Sequence, residues 1–170
     1  MLAASVDLVL RRGVAGWSLE GVARGAGCAK GLVLYHYRSK AALLALTAGE
    51  IERARWDRRF VALALGAGLE AIDRLWDAMV EDVDSGRFGA WVSLTAAGHL
   101  GGSGPRRGND FRDAVARALG LPAEALGDAA SIEAMLEGLI EGMELLLSRA
   151  ANRELIRTGY DRLWTSMLAP

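Results

Sequence analysis

The stretch Ser18-Leu19-Glu20-Gly21-Val22-Ala23-Arg24-Gly25-Ala26-Gly27-Cys28-Ala29-Lys30-Gly31-Leu32-Val33-Leu34-Tyr35-His36-Tyr37-Arg38-Ser39-Lys40 decides how the rest of this chain is read. Ser18 can accept a hydrogen bond from the free amides of a first helical turn, so a short helix is expected from about Leu19 to Gly25, with Leu19, Val22 and Ala23 inward. Gly27 supplies the turn, because a residue without Cβ tolerates positive φ. A second short helix is expected from about Ala29 to Tyr37. Ser39 then caps a longer one through Lys40, Leu43, Leu44, Leu46 and Ile51 toward Phe60. Two helices of one and a half to two turns joined by a tight glycine turn make the helix-turn-helix pattern, whose second helix fits a groove about 12 Å wide.

Working outward, Leu2, Val6, Leu8, Val9 and Leu10 predict a first helix that stops near Gly13. Further helices are expected over Leu69 to Val83, Phe88 to Leu100 and Asp110 to Leu119. Between the last two, the Gly-rich run from Gly101 to Gly108 is expected to be a loop. Pro122 suits the first turn of a helix from about Glu124 to Ala150. In it Ile132, Met135, Leu136, Leu139, Ile140, Met143, Leu146 and Leu147 recur at helical spacing. Glu133, Glu137, Glu141 and Glu144 fall on another face and are expected to be solvated. Leu155, Ile156, Tyr160, Leu163, Trp164, Met167 and Leu168 predict a last helix. No strand-like alternation of useful length occurs, so the fold is expected to be all-α: a three-helix module over 1–45, then a helical bundle over 46–170.

Composition narrows the functional classes. The 170 residues are 52% hydrophobic, which suffices for a core, and the net charge is −1. The charge is uneven: residues 1–40 hold six basic and two acidic side chains, net +4, and both lysines of the chain. The remainder is net −5, so a polyanion-binding head on an acidic body is suggested. One cysteine and two histidines leave no basis for a disulfide framework or a metal site, and no cofactor is expected. Cys28 reads as a buried core thiol. Asp7 interrupts the N-terminal apolar run, and the uncharged stretch Phe88 to Pro105 holds five glycines and a proline, so neither a signal peptide nor a membrane span is expected. A cytoplasmic protein is the expectation.

The motif is more specific than its class. Ser18-Leu19-Glu20-Gly21-Val22-Ala23, then Gly25-Ala26-Gly27-Cys28-Ala29-Lys30-Gly31, then Leu34-Tyr35-His36-Tyr37-Arg38-Ser39-Lys40 resembles the TetR family of bacterial repressors, without a gap from Gly27 to Lys40. Roughly the first 45 residues carry the resemblance. It implies DNA contact by Ser18, Ala29, Lys30, Gly31, Leu32, Tyr35, His36 and Lys40. Chemistry agrees: Lys30 and Lys40 are cations for phosphate, Gly31 admits the backbone close to the groove, and Tyr35 and His36 carry hydrogen-bonding tips. Tyr37 reads instead as a core aromatic. The sequence departs from the pattern at Leu32 and Leu34, where the family usually has Thr and Tyr, and at Leu19, often Thr; three polar contacts are thereby lost.

The resemblance also implies a homodimer that holds a small hydrophobic inducer. The last two helices are the expected four-helix interface across a two-fold axis, through Gly138, Gly142, Leu146, Tyr160, Leu163 and Met167. For the inducer, Trp76, Met79, Phe88, Trp91 and Leu94 are candidate lining residues, with His99, Met135, Leu139 and Met143. An enzyme is not expected, since no Gly-x-Ser-x-Gly elbow, phosphate-cradling loop or paired histidines occur. The rival expectation is a helical ligand-binding or interaction protein of the same fold with weak or lost DNA binding, suggested by Leu32 and Leu34.

Overall fold

The computed structural model describes residues 1–99, 110–149 and 152–168. Among them the regular structure is helical: α1 (Leu2–Arg12), α2 (Leu19–Gly25), α3 (Lys30–Tyr37), α4 (Lys40–Ala64), α5 (Leu69–Asp84), α6 (Arg87–Ala96), α7 (Asp110–Leu119), a 3-10 turn (Ala123–Leu126), α8 (Ala129–Ser148) and α9 (Arg153–Leu168). They divide into two compact units. The first holds residues 1–55 and the described residues from 85 to 99; the second holds 56–84, 110–149 and 152–168. The expected domain boundary at 45/46 falls inside α4, and the units instead divide within that helix after Arg55. The Gly101–Gly108 run lies outside the described residues.

The first unit is built around Leu8 and Val9 of α1, Val22 and Ala23 of α2, Val33 of α3, and Leu43, Leu44, Ala48 and Ile51 of α4, closed by Ala90 and Leu94 of α6. Its helices end for local reasons. Ser18 Oγ accepts the Gly21 amide at 3.1 Å. Gly27 sits at φ 64° while the Cys28 amide reaches back to Ala23 O at 3.0 Å, a closure that satisfies a terminal carbonyl of α2. Ser39 Oγ takes the Ala42 amide at 3.0 Å and starts α4. Beneath these turns runs a buried relay. Trp17 Nε1 donates to Ser5 Oγ at 2.8 Å, Ser5 Oγ lies 2.7 Å from Thr47 Oγ1, and Thr47 Oγ1 donates to Leu43 O at 2.7 Å. Since the single Thr47 proton is spent on Leu43, Ser5 donates to Thr47. The relay joins α1, the turn before α2 and α4, the elements on which the two short helices rest. Cys28 is half-buried against this core rather than buried in it, because the turn ending α2 lies at the unit's edge.

The second unit packs α8 against α5, α7 and α9. Its core holds Ile72, Leu75, Trp76, Met79, Phe111, Val115, Leu136, Ile140, Leu147, Tyr160 and Trp164. The ring of Phe111 meets Trp56 edge-on at 5.1 Å and Phe60 at 5.9 Å. The helix expected from Glu124 begins later. Gly127, at φ 98°, ends the 3-10 turn, and Asp128 caps α8 by accepting the Ser131 amide at 3.1 Å. Two of the four glutamates expected on a solvated face are buried. The Glu133 carboxylate accepts the Phe111 and Arg112 amides at 3.2 and 2.7 Å, capping α7 from a neighbouring helix. Glu144 is fully buried and accepts from Arg59 Nη2 at 2.7 Å, with the guanidinium over the Trp56 ring. Glu137 is exposed and Glu141 half-buried. No helix of the described residues is long and apolar enough to cross a membrane.

Candidate nucleic-acid interface

α3 is only eight residues long and buries one side chain, Val33. Tyr37 is half-buried against the first core, as a core aromatic should be. Every other side chain of the helix is exposed. Tyr35 is 81% exposed and meets the His36 ring edge-on at 5.6 Å. A Cβ at Gly31 would meet nothing within 4 Å, so the backbone there is open to a close approach. Arg38 ends the helix at φ 63°, a left-handed conformation unusual outside glycine, and its amide closes on Leu34 O at 2.8 Å. That turn leads directly into Ser39 and Lys40, whose ammonium lies 5.5 Å from the centroid of Trp17.

The eight residues expected to touch DNA therefore divide by role. Ala29, Lys30, Gly31, Leu32, Tyr35 and His36 lie on or just before α3 and are exposed; Lys40 is exposed at the start of α4. Ser18 is half-buried with its hydroxyl already engaged at Gly21, so its structural duty is helix capping. Lys30 forms an ion pair with Glu20 of α2. The hydrogen bond from Lys30, with a further one from the backbone, holds the Glu20 carboxyl below its usual range. Spacing alone gives no warning of that pair, because the two residues meet only when α2 folds against α3.

The nine inducer candidates are divided between the two units. Trp76 and Met79 are core residues of the second unit, where Met135 is exposed and Leu139 and Met143 half-buried. Phe88, Trp91, Leu94 and His99 belong to the first unit. There Phe88 and Trp91 stack beneath the buried Arg55 guanidinium at 5.1 and 4.7 Å. His99 is half-buried, and its amide bonds Leu94 O at 3.0 Å. The second unit instead opens a cavity of about 410 Å³ lined by Phe60, Leu63, Ala64, Gly66, Ala114, Arg117 and Ala118, none of them among the nine. Small residues on α7 and at the end of α4 leave this space, a signal that a search for aromatic and methionine side chains passes over.

Of the six interface candidates, Tyr160 is the correction. It is buried within its own chain, donates its hydroxyl to Ile72 O at 2.7 Å, and stacks with Trp76 at 5.2 Å. Gly138, Gly142, Leu146 and Met167 are exposed and Leu163 is half-buried. A Cβ at Gly138 or Gly142 would meet nothing within 4 Å.

Residues 1–47 match the model of the bacterial regulatory proteins of the tetR family. The chain is also similar in fold to a Rhodococcus sp. protein assigned as a TetR-family transcriptional regulator. The TM-score is 0.69 at 21% identity, with 99% of this chain and 96% of that chain covered. No curated protein sequence matches the chain. The resemblance read from residues 18–40 thus holds over the N-terminal module, and the helical architecture expected beside it holds in the fold likeness.

Proposed function

We propose that this chain is a homodimeric DNA-binding transcriptional regulator, a repressor released from its operator by a small hydrophobic molecule. The observation that carries the reading is α3: a short helix held by the buried Val33 and the half-buried Tyr37, with its other side chains exposed. The match of residues 1–47 to a family of regulatory proteins supports it, as does the positive charge concentrated in residues 1–40. In the reading α3 lies in the major groove, His36 and Tyr35 bond phosphate oxygens, and Lys30 and Lys40 neutralise the strand. One helix of this size buries little, so two copies reading two half-sites are needed for selectivity. The exposed apolar side chains of α8 and α9, with the open glycines Gly138 and Gly142, support pairing through those helices. The cavity beside the end of α4 is within the size range of small-molecule sites, and Phe60 and Leu63 beside Arg117 suit an inducer that is hydrophobic with a polar end. Because α4 starts directly after α3 and ends at that cavity, occupancy there would shift the spacing of the two α3 helices.

A second reading, the same fold with DNA binding lost, draws on the exposed Leu32 and Leu34 and on the Lys30–Glu20 pair. One experiment separates the two. Lys30→Ala and His36→Ala should each weaken DNA binding and leave the sedimentation of the dimer unchanged, and Lys30→Ala should also reduce the salt dependence by roughly one ion per altered contact. Two variants that bind as the parent does would refute the placement of α3 in the groove.

A further inference from the structure

The outward face of α3 has an unusual composition. At about 100° per residue, Gly31 and Tyr35 stand opposite the buried Val33, and Leu32 and Leu34 flank that line on either side. Leu32 is 44% and Leu34 37% exposed, so two leucines stand with a tyrosine among the side chains that an eight-residue helix turns outward. A surface helix in water ordinarily turns polar groups outward, and apolar ones held out mark something that covers them. The rim indicates what. Lys30 and His36 of α3, then Arg38 and Lys40, are exposed at its edges, and Glu20, paired to Lys30, is the acidic residue of the adjoining α2. An apolar strip edged by the cations Lys30, Arg38 and Lys40 suits a polyanion that carries apolar spots between its charges. Duplex DNA is that partner: its phosphates line the groove and each thymine sets a C5-methyl on the groove floor.

We infer that Leu32 and Leu34 read thymine methyl groups, so that each operator half-site carries thymine where these two side chains meet the groove; this rests on the DNA-binding reading proposed above. A leucine cannot satisfy a purine N7 or O6 or a cytosine amino group, and facing one would leave that polar edge without a partner. Against a thymine methyl it loses nothing and buries apolar surface. The two departures from the family pattern become the means of discrimination, and polar contact is left to Lys30, Tyr35 and His36.

The test uses the full chain and duplexes recovered from a randomised pool by binding to it. Each thymine of the preferred sequence is replaced singly by deoxyuridine, which keeps the base pair and removes only the methyl group. Uridine at the contacted positions should weaken binding about fourfold per methyl, the effect of one buried carbon, and elsewhere should change nothing. Leu32→Ala and Leu34→Ala, which alter exposed positions and keep helix propensity, should weaken binding to the parent duplex and each abolish the uridine effect at its own position. Circular dichroism and sedimentation should show both variants folded and dimeric. A preferred sequence without thymine in its half-sites, or one indifferent to uridine, overturns the inference while leaving the DNA-binding reading in place. A pool that yields no preferred sequence overturns that reading and the inference with it.

Discussion

Lys30 illustrates how a single residue's function depends on a partner that its own motif does not include. Its ammonium is held by Glu20, and the hydrogen bond between them keeps that carboxyl ionised below its ordinary value of 4.5. A carboxyl whose folded value is lowered gives its stabilisation above the ordinary value and loses it as pH falls through the lower one, so the pair is intact throughout the neutral range. In the proposed reading, DNA competes with Glu20 for this cation. Glu20→Gln should therefore tighten DNA binding about two- to fivefold at neutral pH, the range expected for releasing an exposed pair, and steepen the salt dependence. Anisotropy titrations at several salt concentrations read both quantities; unchanged affinity and slope would show that Lys30 does not reach the phosphates. The exposed side chains of α3 were legible as a group because the helix-turn-helix spacing is local. The Glu20 pair was not, since its two halves lie ten positions apart in sequence.

At the scale of elements, caps and turns made the helices readable. Ser18, Gly27 and Ser39 sit where the expected boundaries put them, and α2 and α7 span the anticipated residues. The start of α8 is set by Gly127 and Asp128, turn and cap residues that apolar periodicity alone does not register. The same periodicity shows which residues share a face of α8 but not whether a neighbour covers that face. Glu133 and Glu144 are covered, one by the N-terminus of α7 and the other by Arg59 of α4. Burying the Arg59–Glu144 pair ties α4 to α8 with charges whose removal from water is costly. Glu144→Ala should destabilise the protein by about 3–5 kcal/mol, since it leaves the guanidinium buried without its carboxylate. Replacing both, Arg59→Met with Glu144→Leu, should recover most of that loss. Urea unfolding of the two variants checks this, and a double variant as unstable as the single one would contradict it.

For the whole molecule, the proposed pairing runs through α8 and α9. Leu146 and Met167 are exposed on α8 and α9 beside the open surface at Gly138 and Gly142, whereas Tyr160, which periodicity placed with them, serves its own chain. Leu146→Glu should shift the protein to monomer in sedimentation at micromolar concentration while leaving its helical content intact, and an unchanged dimer would move the interface elsewhere. Loss of pairing should also lower DNA affinity steeply, because each copy then holds only one half-site. The central claim is that two exposed α3 helices grip one duplex through a basic rim. It is tested most directly by fluorescence anisotropy on DNA from just upstream of the coding region, across a salt series and against excess random DNA. With Lys30 and Lys40 of both copies neutralising about four phosphates per dimer, log affinity should fall by roughly four units per tenfold rise in salt, and the complex should survive the competitor. A shallow slope, or binding no tighter than to random DNA, would contradict it.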